Sequence, residues 1–165
     1  LGVANKVYVN PETSILFADA TQAEDATIAL SSLGTGAGRY SARFDRGAGA
    51  RAALYEWLLN FSLTGANVVG AQVEVYVVRS DGVYADGALG TADAALVSAK
   101  RNNLLFAGLA IVDQTTSNTV MSARGYVWLP TRYFSMAIWN ATTLTFQAST
   151  SVHQLYMTPV PDEIQ

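Results

Sequence analysis

Few residues of this 165-residue chain belong to types that do chemistry. Their spacing decides what chemistry is open to them. His153 is the sole histidine, with Thr150 and Ser151 beside it. A histidine base needs an orienting carboxylate on one side and a nucleophile on the other. Neighbours in an extended segment point to opposite faces, so adjacency in sequence builds no triad. A histidine without chemistry is expected. Asp81, Asp86 and Asp93 share one stretch with Gly82, Gly87 and Gly90. Oxygen-rich, glycine-kinked loops hold calcium, which makes this the weak candidate metal loop of the chain. Its spacing departs from an EF-hand, no bidentate glutamate closes it, and Asp-Gly pairs are strong turn formers. The expectation is therefore no metal and no cofactor.

A glycosidase pair needs two acids facing each other across a cleft. Glu56 and Glu74 are the candidates, but each occupies the polar side of an alternating segment, where a solvated or salt-bridged acid is the ordinary outcome. Trp57, Trp128 and Trp139, with eight tyrosines in the chain, raise a different possibility, a sugar-stacking platform. Stacking needs exposed rings. Trp57 and Trp139 sit on the more apolar sides of their segments and are expected in the core. Trp128 stands near a strand end beside Leu129-Pro130, where the pattern leaves its placement open.

The elements that position these groups read as strands. In the run Tyr55 to Leu63, Tyr55, Trp57, Leu59, Phe61 and Leu63 fall on one face, and Glu56, Asn60 and Ser62 on the other, with Leu58 the exception. This period of two predicts a strand with one face in a core. Val68 to Arg79 alternates in the same way around Val73, Val75 and Val77, with Gly70 marking a bulge or bend. Leu104 to Val112 predicts a buried strand and Val120 to Leu129 its partner, joined by a polar hairpin loop. Arg132 to Asn140 is apolar on both faces, as a central strand would be. Thr91 to Lys100, rich in alanine, predicts a short surface helix. Short strand candidates lie at Val7-Tyr8-Val9, Ile15-Leu16-Phe17, Thr27 to Leu30 and Tyr40 to Phe44, and further ones at Thr145 to Gln147 and Val152 to Met157. About eight body strands with turn signals every eight to twelve residues predict an antiparallel β-sandwich or barrel.

Residues 1–38 are set apart as an extended N-terminal arm ending in the Gly-rich joint Leu33 to Gly38. The sandwich domain is assigned to 39–165, with a C-terminal tail at 158–165. Pro159 and Pro161 fix φ and lack N–H donors, so this tail is expected to project free of any sheet interior.

Composition narrows the function class. Half of the residues are hydrophobic but only 14% are charged, against a usual share near ~25%. An exterior of Ser, Thr, Asn, Gln, Ala and Gly suits a protein partly covered by other subunits. The formal net charge is −3, and Lys6 and Lys100 are the only lysines. The densest basic group, Arg39, Arg43, Arg46 and Arg51 around Asp45, reads as a salt-bridged turn, so no nucleic acid is expected. The absence of cysteine excludes disulfides and thiolate metal sites, and fits an intracellular assembly site or a bacterial or viral source. No apolar run approaches the ~18 residues of a membrane span, so no membrane partner is expected. Nor does the start at Leu1 carry a basic, Met-led leader, so no signal peptide is expected.

The run Arg39-Tyr40-Ser41-Ala42-Arg43-Phe44-Asp45-Arg46-Gly47, then Tyr55-Glu56-Trp57, and the closing Thr158-Pro159-Val160-Pro161-Asp162-Glu163-Ile164-Gln165 resemble small virion proteins of tailed bacteriophages. The group in question is the jelly-roll head decoration, or cement, proteins, and the likeness covers residues 39 to 165. The resemblance implies a non-enzymatic β-sandwich of jelly-roll type on the capsid exterior, a homo-oligomer (trimer or dimer) clamping neighbouring major capsid proteins. In that setting Val7, Tyr8, Val9, Ile15, Phe17, Thr158, Pro159 and Pro161 are expected in interaction arms. Extended arms add strands to a neighbour or lie along its grooves. Two other classes stay open. One is a phage fibre, receptor-binding or carbohydrate-binding sandwich module. The other is a small hydrolase in which Glu56, Glu74 or the Asp81 to Asp93 loop would converge in a pocket.

Overall fold

A computed structural model describes residues 13–49 and 51–160. Its strands are β1 (Ile15–Ala18), β2 (Ala26–Thr27), β3 (Ala37–Tyr40), β4 (Phe44–Asp45), β5 (Leu54–Phe61), β6 (Gln72–Ser80), β7 (Ala94–Leu96), β8 (Leu105–Ile111), β9 (Met121–Trp128), β10 (Tyr133–Asn140) and β11 (Gln154–Val160), with a 3-10 turn at Asp86–Ala88 and a single α-helical turn, α1 (Ser98–Arg101). One sheet has the order β2-β1-β11-β5-β9. The other has β7-β3-β10-β6-β8, with β4 also paired to β10.

All pairings but β1–β2 are antiparallel. Among the eight principal strands, β1 pairs with β11, β3 with β10, β5 with β9 and β6 with β8. First meets last and each inner pair nests within it, the winding of a jelly roll. The protein is an all-β sandwich.

The core lies between the sheets. Tyr55, Trp57, Leu59 and Phe61 of β5 face Val73, Val75 and Val77 of β6, and Phe134, Met136 and Ile138 of β10 fill the layer. Phe17, Phe44 and Phe134 meet edge to face, with ring centroids 5.6 to 6.3 Å apart. A second apolar cluster sits on the far side of the second sheet. There Tyr40, Val78, Leu96, Ala137 and Trp139 are covered by Ala85, Leu89 and Leu104. Residues 81–104 therefore form a roof over that sheet, and this explains why β10 is apolar on both faces.

Several expectations are corrected. Ile15 and Phe17 belong to the sandwich and not to an arm: β1 pairs with β11, and both side chains are buried. Their apolar alternation buys burial that a free arm would forfeit. The proposed boundary at residue 38 cuts through β3. Thr158 and Pro159 also lie in a strand, opposite Glu56 and Tyr55 of β5. Because β1 pairs β11 only as far as Met157, Pro159 has a paired neighbour on one side alone among the described residues, where a missing N–H is tolerated. Val7, Tyr8, Val9 and Pro161 lie outside the described residues.

The predicted helix over 91–100 is reduced to α1. Ala94-Ala95-Leu96 pairs with β3 instead, and so short a segment has too few turns to offset helix nucleation. β9 is not the partner of β8; it pairs with β5, and β8 pairs with β6. The segment Asp113 to Asn118 thus crosses between sheets. β8 is also only partly buried.

Candidate functional site

The residues that could do chemistry are held apart. Glu56 and Glu74 project from the outer faces of opposite sheets, with the core between them. Glu56 meets the Arg124 guanidinium at 2.6 Å. Glu74 meets Arg101 at 3.0 Å and accepts the Tyr76 hydroxyl at 2.6 Å. Burial and the Glu74 carboxylate push the Tyr76 hydroxyl up to about 12. No cleft joins the two acids, so the paired-carboxylate arrangement is not formed.

The candidate metal loop is likewise dispersed. Asp81 caps its own turn, accepting the Val83 and Tyr84 N–H groups at 2.8 and 2.7 Å, and these bonds lower its pKa. Asp86 accepts the Arg79 Nε–H at 2.8 Å. Asp93 accepts the Arg39 Nε–H at 2.8 Å and so ties the roof to β3. Each carboxylate is held by a different partner. Among the described residues no group of three His, Cys, Asp or Glu side chains is placed to hold a metal.

His153 is 2% exposed. Its Nε2 lies 2.9 Å from the Gln147 carbonyl, which only accepts, so Nε2 carries the proton. Nδ1 is buried without a hydrogen-bond partner, and Phe146 packs at a ring separation of 5.2 Å. Burial lowers the pKa of the imidazole. Among the described residues no carboxylate contacts it, and its task is to anchor the turn leading into β11.

The basic group also serves the fold. Arg132 grips Asp45 through two bonds of 2.6 and 2.7 Å, and this pairing lowers the Asp45 carboxyl to about 2. Arg46 donates to the carbonyls of Leu129 and Thr131 at 2.8 and 2.9 Å, and its guanidinium lies 4.8 Å from the Tyr55 ring centroid. Arg43 donates to the Gly82 carbonyl.

What the fold does present is apolar surface on two of its edge strands, β8 and β9. On β8, Phe106, Leu109 and Ile111 are 52%, 37% and 44% exposed. They stand opposite Tyr76, Glu74 and Gln72 of β6 on one outer face, at the margin of the roof, and the Phe106 ring meets Tyr76 edge to face at 5.4 Å. The segment Leu105–Ile111 contains no charged residue. On β9, Tyr126 and Trp128 are 62% and 60% exposed. Of the tryptophans, Trp57 and Trp139 are buried as expected and Trp128 is not.

Sequence reasoning missed the β8 strip because a short apolar run looks the same at an edge as in the middle of a sheet. Tyr126 was missed as well, although the alternation of Ser122, Arg124, Tyr126 and Trp128 with Met121, Ala123, Gly125 and Val127 already carried the signal.

No protein-family model matches the chain, and no curated protein matches it. Among solved structures it is similar to the Clostridium thermocellum N-terminal endo-1,4-β-D-xylanase 10B, a crystal structure of its CBM22-1 and GH10 modules complexed with xylohexaose. The identity is 8% and the TM-score 0.37, over 95% of this chain and 28% of that one.

Proposed function

We propose that this protein is a structural component of a tailed-bacteriophage virion, a decoration protein that sits on the capsid exterior as a homo-oligomer and binds the major capsid protein without doing chemistry. The observation that carries this reading is the bare apolar strip Phe106, Leu109 and Ile111 on edge strand β8. An edge strand is ordinarily guarded by charge or proline, since its free face and unpaired backbone invite association. β8 has neither, although the bulge opposite Val75 and Tyr76 breaks its regularity. Such an edge suits a surface that spends its working life covered. Weak contacts of this kind, repeated over a shell, act together through effective concentration.

The test is co-sedimentation with shells assembled from the major capsid protein encoded in the same genome. The purified chain should travel with the shells and raise their thermal stability. The variants Phe106→Asp and Leu109→Asp should lose occupancy while keeping the fold. Shells that ignore the wild-type protein would remove the proposal.

A further inference from the structure

The outer face of the first sheet carries a second surface, independent of the β8 strip. The β5–β9 and β5–β11 registers place Ser122, Arg124, Tyr126 and Trp128 beside Asn60, Leu58, Glu56 and Leu54, with Gln154, Tyr156 and Thr158 on the next strand. Tyr126 and Trp128 are neighbours on one side of β9, about 6.8 Å apart along the strand by its rise. Both rings are more than half exposed, and among the described residues no segment roofs this sheet as residues 81–104 roof the other.

The charge on this face decides what it fits. Its only ionised groups on these three strands are Arg124 and Glu56, and they neutralise each other at 2.6 Å. A polyanion such as nucleic acid finds no unpaired cation there, and neither does an anionic lipid surface. What remains is neutral: two exposed aromatic rings beside the Arg124–Glu56 pair, with the Tyr156 and Thr158 hydroxyls on the next strand and the amides of Asn60 and Gln154 further along the sheet, bonded to Ser122 and Gln22. A π face is electron-rich and attracts weakly positive C–H bonds, and amides and hydroxyls exchange hydrogen bonds with hydroxyls. A pyranose ring offers both, apolar C–H groups on its face and hydroxyls at its rim.

We propose that Tyr126 and Trp128 form a stacking platform for a neutral carbohydrate, with the Thr158 hydroxyl and the Arg124–Glu56 pair as hydrogen-bonding neighbours. Such a platform would let the protein adhere to a glycan surface while the β8 edge faces elsewhere. It does not depend on the capsid reading, because the two surfaces lie on opposite sheets.

The experiment titrates the full chain with neutral β-linked hexasaccharides of glucose, xylose, mannose and N-acetylglucosamine, following tryptophan fluorescence and calorimetric heat. Binding of at least one is expected, with Trp128 shielded from an aqueous quencher. Trp128→Ala and Tyr126→Ala should each weaken it about tenfold or more, while Trp128→Tyr retains most of the affinity. Near-ultraviolet circular dichroism from the buried Trp57 and Trp139 reports that the variants are folded. Binding that is unchanged in the folded Tyr126→Ala/Trp128→Ala double variant would overturn the proposal, as would no binding to any of the four sugars. Loss of shell co-sedimentation in Trp128→Ala would also overturn it, by assigning this face to a protein partner.

Discussion

Trp57 and Gly125 stand directly opposite each other in the β5–β9 ladder, and the indole occupies the space that a side chain at 125 would need. A β-carbon built on Gly125 would lie 2.5 Å from the indole Cζ2, and one on Gly108 of β8 would lie 2.7 Å from the same atom. The indole N–H donates to the Ala107 carbonyl at 3.2 Å. One side chain from β5 thus reaches the edge strands of both sheets and closes this side of the sandwich. Gly125→Ala is expected to lower unfolding free energy by about 1–3 kcal/mol, the usual cost of overpacking a filled core. Urea denaturation checks it. An unchanged midpoint would mean the indole has room to move.

Asn140 gives a sharper case. It is fully buried, and its amide nitrogen lies within 2.8 to 3.1 Å of the carbonyls of Leu33, Gly34 and Leu144. Its carbonyl oxygen accepts the Thr142 hydroxyl at 2.7 Å. Asn140→Asp keeps the shape but turns a donor into an acceptor facing three acceptors. The expected loss is about 3 kcal/mol or more, the penalty of an unsatisfied buried polar group. Equal stability of the two proteins in urea at neutral pH would contradict the assigned hydrogen bonds.

These two positions also mark how far the sequence could be read. The alternation around Trp57 was enough to place β5 and its buried face, since period two over many residues has few other meanings. β10 was legible for another reason, a run apolar on both faces and bounded by turn residues. Pairing was not. Whether Met121–Trp128 joins β8 or β5 depends on where the chain crosses between sheets, and a polar loop looks alike in both cases. The role of Ile15 and Phe17 was misjudged because four residues carry too little pattern to separate a docked strand from a loose one. For the candidate site, Trp128 was in view as the uncertain tryptophan, but exposure is a property of the neighbours and only the fold supplies it.

The acidic residues of the 81–93 stretch are expected to leave the protein indifferent to calcium. Asp86 and Asp93 are each held by an arginine, and Asp81 is spent on two backbone N–H groups of its own turn. Recruiting them to one ion would break all three arrangements. Millimolar calcium or EDTA should leave the thermal midpoint unmoved. A rise with calcium of the size expected for a ligand that binds only the folded state would show that a site assembles after all.

Acid should act through His153 before it acts through the carboxylates. Burial holds the folded imidazole below its ordinary 6.5, since protonating Nδ1 would create a buried N–H with no acceptor. Between the folded value and 6.5 the unfolded chain therefore binds a proton that the folded chain does not. Stability must fall as pH drops through that interval and level off beneath it. Asp45 works in a lower window: its carboxyl is depressed from 3.8 to about 2, so its pairing with Arg132 is lost only as pH falls through that range. Urea midpoints measured from pH 7.5 down to 5 should decline for the wild type. They should flatten in His153→Gln, whose amide can still donate to the Gln147 carbonyl but cannot titrate. A slope that survives in the glutamine variant would place the acid-sensitive group elsewhere.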